Sequence, residues 1–216
     1  MQKRLLAVLF VFGLIVAGPA GPASGSLVRV GTATYGGSDY KLIYDVEDEL
    51  TWLDYSNSGA TYPASLAWAA SLEAALTINL DAGYSNASWA GTDWRLPAAF
   101  GYWSNNSSNN VSSSEIEGLY YDELGNELND ASLNFGDFDN IESNYHYIEA
   151  MFPISISYAP YFNFDNGTDG FVTSSVNGGI YAMAVRSGAV PEPGTMAIVA
   201  IGAAGLVRRR GFFHRG

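Results

Sequence analysis

An arginine beside a tryptophan, Trp94-Arg95, is the first pair in this chain with evident chemical use. Such a pair can clamp a carboxylate or stack on a sugar, because the guanidinium is a planar fork of donors and the indole offers a π-face. Arg95 is therefore the candidate ligand contact. The plainer expectation is that Trp94 and Leu96 fill a core while Arg95 pairs with one of the many acids. A second candidate is Asp165-Asn166-Gly167-Thr168-Asp169-Gly170, which resembles a calcium loop. Asp165 and Asp169 would be its ligands, but Gly167 stands where the third position needs Asp or Asn. Val176 stands where the last position needs an acid. A plain Asx-Gly hairpin turn is the better reading. Asp137 with Asp139, and Glu47-Asp48-Glu49, are further acidic groups that default to solvated faces.

Nucleophilic catalysis has no anchor in the sequence. His146 is the one histidine between the two terminal signals described below, and no Gly-x-Ser-x-Gly element accompanies it. Cysteine is absent, which excludes disulfides, thiol nucleophiles and thiolate metal sites. Paired carboxylates of a glycan hydrolase remain the competing chemistry, since many acids always allow some pair at a working distance. The expectation is a domain without enzymatic activity, without a bound cofactor and with calcium as the one ion to test.

The elements that would position these groups lie between two signals. Lys3 and Arg4 precede an apolar run from Leu5 to Ala17, and Gly18-Pro19-Ala20-Gly21-Pro22-Ala23 supplies helix breakers and small side chains. Thirteen residues at about 1.5 Å each fall short of a bilayer core of roughly 30 Å, so residues 1–23 read as a secretory signal peptide. At the other end Pro191-Glu192-Pro193 breaks regular structure, Met196 to Val207 is apolar, and Arg208-Arg209-Arg210 follows. A cationic cluster past an apolar segment stays on the cytoplasmic side.

Between the signals, Arg29, Lys41, Arg95 and Arg186 face 21 acids, a net charge of about −17 against −12 for the whole chain. That field repels phosphates and anionic lipid, so no nucleic-acid partner is expected. It favours solubility and attracts divalent cations or basic partners. Without disulfides the domain must hold together by burial, and residues 24–188 suffice for one core.

Val28 to Tyr44 reads as two strands around Gly36-Gly37, and Leu50 to Asp54 as a third. Thr61 caps a helix with Pro63 in its first turn and Ala64, Trp68, Leu72 and Leu76 on one stripe. Asp81 to Ala90 is turn chemistry, and Ser104 to Ser114 is a polar loop. Ser112 with Glu115 has capping-box spacing. The helix it opens carries Ile116, Leu119, Tyr120 and Leu124 on one face and ends at Gly125. Tyr158 to Phe164 and Gly170 to Ser174 flank the Asp165 turn as a hairpin, and Ile180 to Arg186 is a closing strand. Two helices among short antiparallel strands make an α+β domain.

Two resemblances follow from these residues. Pro191-Glu192-Pro193, the Ala/Gly-rich apolar run and the triple arginine resemble the PEP-CTERM sorting signal, here residues 189–216, which exosortases of Gram-negative bacteria recognise. Leu50-Thr51-Trp52-Leu53, Trp68-Ala69-Ala70-Ser71-Leu72, Asp93-Trp94-Arg95-Leu96-Pro97, Leu119 through Asn126, Tyr158-Ala159-Pro160 and Tyr181 through Arg186 resemble, in order, the DUF1566 or Lcl C-terminal domain over residues 45–188. The second resemblance implies a single C-type-lectin-like domain, related also to formylglycine-generating enzymes, on a bacterial surface. Some members are linked to glycan or matrix adhesion, and none carries a general enzymatic activity. The chain departs from that pattern at Met151-Phe152-Pro153-Ile154-Ser155 and at Arg186-Ser187-Gly188.

The functional expectation is an exported surface or extracellular-matrix protein that binds or scaffolds, with exopolysaccharide as the candidate ligand. Its partners would be signal peptidase and exosortase, with membrane contact only transient, through the tail. A purely structural matrix component and a secreted hydrolase are the alternatives.

Overall fold

The structure is a computed structural model that describes residues 27–84, 89, 92–99, 114–150, 157–176 and 178–188. The chain starts as a meander. Strands β1 (Leu27–Tyr35) and β2 (Ser38–Asp45) pair antiparallel through Tyr35 and Ser38, which leaves Gly36 and Gly37 as a two-residue loop. Both glycines have positive φ, 59° and 88°, the twist that a right-handed hairpin requires. Strand β3 (Leu50–Ser58) continues the sheet, and α1 (Tyr62–Ala75) crosses one face. Strand β4 (Thr77–Leu80), absent from the sequence reading, then returns to pair with β1. Four residues alternating polar and apolar between a helix and a turn carry too little pattern to be recognised.

The second half adds β5 (Ala98–Ala99), α2 (Glu115–Gly118) with a wide helical turn at Leu119–Glu123, β6 (Tyr145–Tyr147), β7 (Glu149–Ala150), β8 (Tyr158–Asn163), β9 (Thr168–Thr173) and β10 (Ile180–Ser187). Eight strands form one sheet in the order β4-β1-β2-β3-β10-β6-β8-β9, and β5 pairs with β7. The strand expected to close the chain thus lies in the middle of the sheet. Pairing is antiparallel except for β10 with β6 and β5 with β7. The α+β class holds, with more strand and longer strands than expected.

Side-chain alternation divides β10 between two faces. Ala182, Ala184 and Arg186 face α1, and Met183 and Val185 face the α2 side. On the α1 side, Val30, Leu42, Leu53 and Leu72 are buried with Trp89 and Trp94. On the other, Ile43, Trp52 and Phe162 pack against Ile116, Leu119, Tyr120 and Leu124, the helical face that the sequence indicates.

Two helix details differ from expectation. Ala64 is exposed, and the buried line of α1 runs through Ser65, Ala69 and Leu72. Small residues at 65 and 69 let the helix axis approach the sheet, so the seam rotates away from Ala64 by one position. Thr61 holds the cap position without a side-chain hydrogen bond. The cap of α2 is Ser114, whose Oγ accepts from the Glu117 N–H at 3.2 Å. Ser112 lies outside the described residues, and the cap falls two residues after it. Gly125, at φ 67°, ends the turn as expected, and the Asn126 N–H returns to the Tyr120 carbonyl at 3.1 Å.

Gly31 sits where β1 slips register against β2. A Cβ there would strike the Asn79 carbonyl and lie 2.7 Å from Leu80 Cα on the adjoining β4. Gly31→Ala should therefore cost about 1–3 kcal/mol by overpacking backbone on backbone, read as a lower urea midpoint. An unchanged midpoint would mean that β4 does not press on β1.

Candidate functional site

Arg95 is drawn into the sheet by an isolated bridge to Val185, with its N–H 3.0 Å from the Val185 carbonyl. That bridge fixes where its side chain goes. Nη1 and Nη2 donate to the two carboxylate oxygens of Glu115 at 2.6 and 2.7 Å, and Nη2 also reaches Ser187 Oγ at 3.2 Å. Glu115 Oε2 accepts the Ala98 N–H at 2.6 Å as well. Burial works against the Arg95 charge, but the Glu115 hydrogen bonds and charge outweigh it and hold the pKa above its ordinary value. Trp94 and Leu96 are buried on either side. The planar fork that could take an external carboxylate is occupied by an internal one, in line with the plainer expectation, and this ties α2 to β5 and β10. Glu115→Ala should cost about 3 kcal/mol by leaving a part-buried guanidinium unpaired. A loss within about 0.5 kcal/mol, the range of ordinary surface substitutions, would show that the clasp is ornamental.

The calcium-loop residues form a turn between β8 and β9. The Gly167 N–H bonds the Asn163 carbonyl at 2.8 Å, and Asn166 Oδ1 accepts from Thr168 N and Oγ at 3.1 and 2.7 Å. Asp165 is exposed and Asp169 lies half-buried on β9, opposite Phe162. The Asn166 side chain is thus committed to an Asx turn. Among the described residues, no group of three or more histidine or carboxylate side chains is placed to hold a metal ion. Asp139 pairs with Lys41 at 2.7 Å, which also donates to the Asp137 carbonyl.

His146 is fully buried on β6 between Phe164 and Tyr181. Its Nδ1 lies 3.0 Å from the Asn144 carbonyl and so carries the proton, leaving Nε2 to accept from Ser56 Oγ at 3.4 Å. Burial lowers its pKa to about 4, and the ring is neutral. The opposite case stands at the β2–β3 turn. Asp45 Oδ1 accepts from the Glu47 and Asp48 N–H groups, while Asp45 Oδ2 and Glu123 Oε2 are buried without a hydrogen-bond partner among the described residues. Burial first, then the charges of Asp45, Glu47, Asp48 and Asp122, push Glu123 up to about 7.

These two groups pull stability in opposite directions. The unfolded chain protonates histidine near pH 6.5, so the His146 contribution is complete above that pH and disappears as pH falls toward 4. Glu123 contributes below its ordinary value of 4.5 and loses that contribution as pH rises through 7. In urea titrations from pH 4 to 8, His146→Gln should flatten the acid limb and Glu123→Gln the neutral limb. Identical pH profiles for both variants and the parent would refute the assignment.

A pocket of about 420 Å³ opens beside β6, β8 and β9 and is lined by Tyr145, Tyr161, Phe171, Val172, Val176, Gly178, Gly179 and Ile180. Sequence reading did not reach it. Its signal was the tyrosine at alternate positions 145 and 147, which places both rings on one sheet face but does not reveal which one the helix covers.

The residues proposed for sorting, Pro191, Glu192, Pro193, Arg208, Arg209 and Arg210, lie outside the described residues. Their stretch of sequence, residues 189–210, matches the PEP-CTERM protein-sorting motif. No curated protein and no solved structure gives a significant match. The motif suggests an exported, cell-surface-associated protein that an exosortase sorts.

Proposed function

We propose that the protein is a non-enzymatic binding or scaffolding module of the surface or extracellular matrix of a Gram-negative bacterium, released by signal peptidase and exosortase and associated with exopolysaccharide. The match of residues 189–210 to the sorting motif carries the exported half of this reading. Its binding half is supported by the open aromatic pocket and by an acidic surface suited to solubility. The ordered resemblance of residues 45–188 to the DUF1566 domain, and through it to C-type lectins, supports the same reading and remains part of the proposal. Calcium belongs to it only as an ion to test against Asp165 and Asp169.

The sorting step has a direct test. Replacing Glu192 by Gln, or deleting Arg208 to Arg210, should leave the chain unprocessed in the inner membrane, seen as a slower-migrating band in membrane fractions. Processing and surface display at the parent level would overturn this assignment.

A further inference from the structure

Strand β6 presents two tyrosines to one face of the sheet, and the helix covers only one. Tyr62 of α1 packs on Tyr147 with ring centroids 5.4 Å apart, and Tyr147 is fully buried. Two residues earlier, Tyr145 is 40% exposed at the pocket. Its ring meets Tyr161 edge to face at 4.9 Å, so the pair forms a fixed corner and not two loose side chains. Gly170 helps to set that corner. A Cβ at Gly170 would lie 2.7 Å from the Tyr161 hydroxyl, so the missing side chain is what gives the ring its place. The rest of the lining is Phe171, the aliphatic Val172, Val176 and Ile180, and Gly178 and Gly179.

The chemistry of the lining selects the ligand. None of the eight lining residues is charged, so a carboxylate finds no ion-pair partner inside. Lys41, Arg95 and Arg186 are paired elsewhere, with Asp139, Glu115 and Glu73. The charge that acts on Tyr161 from outside is the Asp169 carboxylate, which disfavours anions further. A volume of about 420 Å³ lies in the range of small-molecule sites, about 300–1,000 Å³. Because the pocket is open, its occupant keeps one side in water. A neutral occupant with an apolar face for the rings and hydroxyls on its edge for the tyrosine and glycine polar groups matches this lining.

We propose that the corner formed by Tyr145 and Tyr161, in the pocket that Gly178 and Gly179 also line, is a binding site for a neutral pyranose unit of a saccharide. The proposal rests on the reading of the domain as a binding module and names the ligand class and the residues.

The test uses the exported protein as secreted, with saturation-transfer NMR and calorimetry against maltose, cellobiose and lactose. Glucuronate and tetramethylammonium serve as charged probes. At least one neutral disaccharide should bind saturably, with transfer concentrated on one face of the ring. Tyr145→Ala and Tyr161→Ala should each weaken it about tenfold, and Tyr158→Ala, at an exposed tyrosine outside the pocket, should not. Circular dichroism matching the parent's keeps the comparison to folded protein. Saturable binding of none of the three disaccharides overturns the site, as does tighter binding of either charged probe, or equal losses at positions 145 and 158. Normal surface display without sugar binding removes this site and leaves the exported reading standing. Sugar binding with failed display does the reverse.

Discussion

Strand β10 hydrogen-bonds antiparallel to β3 on one side and parallel to β6 on the other, and this double pairing holds the two halves of the domain together. The β1–β4 meander and the β8–β9 hairpin contribute strands to the same sheet only because β10 stands between them. Every side chain of β10 is consequently committed to one face or the other. Ala182 and Ala184 are small enough for α1 to settle over them, while Met183 and Val185 reach into the core beneath α2. Arg186 continues the alternation. It hydrogen-bonds Glu73 on α1 and the carbonyls of Trp89 and Thr92, and its guanidinium lies 5.2 Å from the Trp89 ring. One strand therefore fastens the helix, Trp89 and Thr92 to the sheet. Inserting the last strand at the centre requires closing very long loops, a topology associated with slow folding.

Scarcity of basic side chains shapes the rest. Lys41, Arg95 and Arg186 are each spent on a structural tie between elements distant in sequence. Near the β2–β3 turn, backbone N–H groups satisfy Asp45 Oδ1, while Asp45 Oδ2 and Glu123 Oε2 have no hydrogen-bond partner among the described residues. So negative a net charge favours solubility, and where carboxylates crowd, burial and like charge raise the pKa of Asp45, Asp48 and Glu123. Asp54 shows the economical solution: buried, it accepts from Asp139 N, Asn140 N and Asn140 Nδ2 and so anchors the loop before β6.

The division of labour along the chain follows from this architecture. Addressing resides in a short terminal motif whose meaning does not depend on the domain fold. Recognition, on the proposed reading, resides where the sheet extends past the helix that covers its middle. A sheet face left partly uncovered exposes aromatic side chains that elsewhere in the same strands serve as core, and Tyr145 and Tyr147 are such a pair.

Local patterns were legible in the sequence because their causes are local. Gly36-Gly37 sets a hairpin, Gly125 ends a helical turn, Asp165-Asn166-Gly167 reverses the chain, and the face Ile116-Leu119-Tyr120-Leu124 becomes core. The sorting motif was legible for the same reason, being a contiguous address. Tertiary structure alone decided the place of β10 in the sheet, since strand order depends on pairings between residues more than a hundred positions apart. It also decided that Arg95 meets Glu115, that His146 is buried neutral, and that Tyr145 is left open while Tyr147 is covered. Residue type and spacing specify what a side chain can do; which neighbour reaches it first is settled only when the sheet and helices pack.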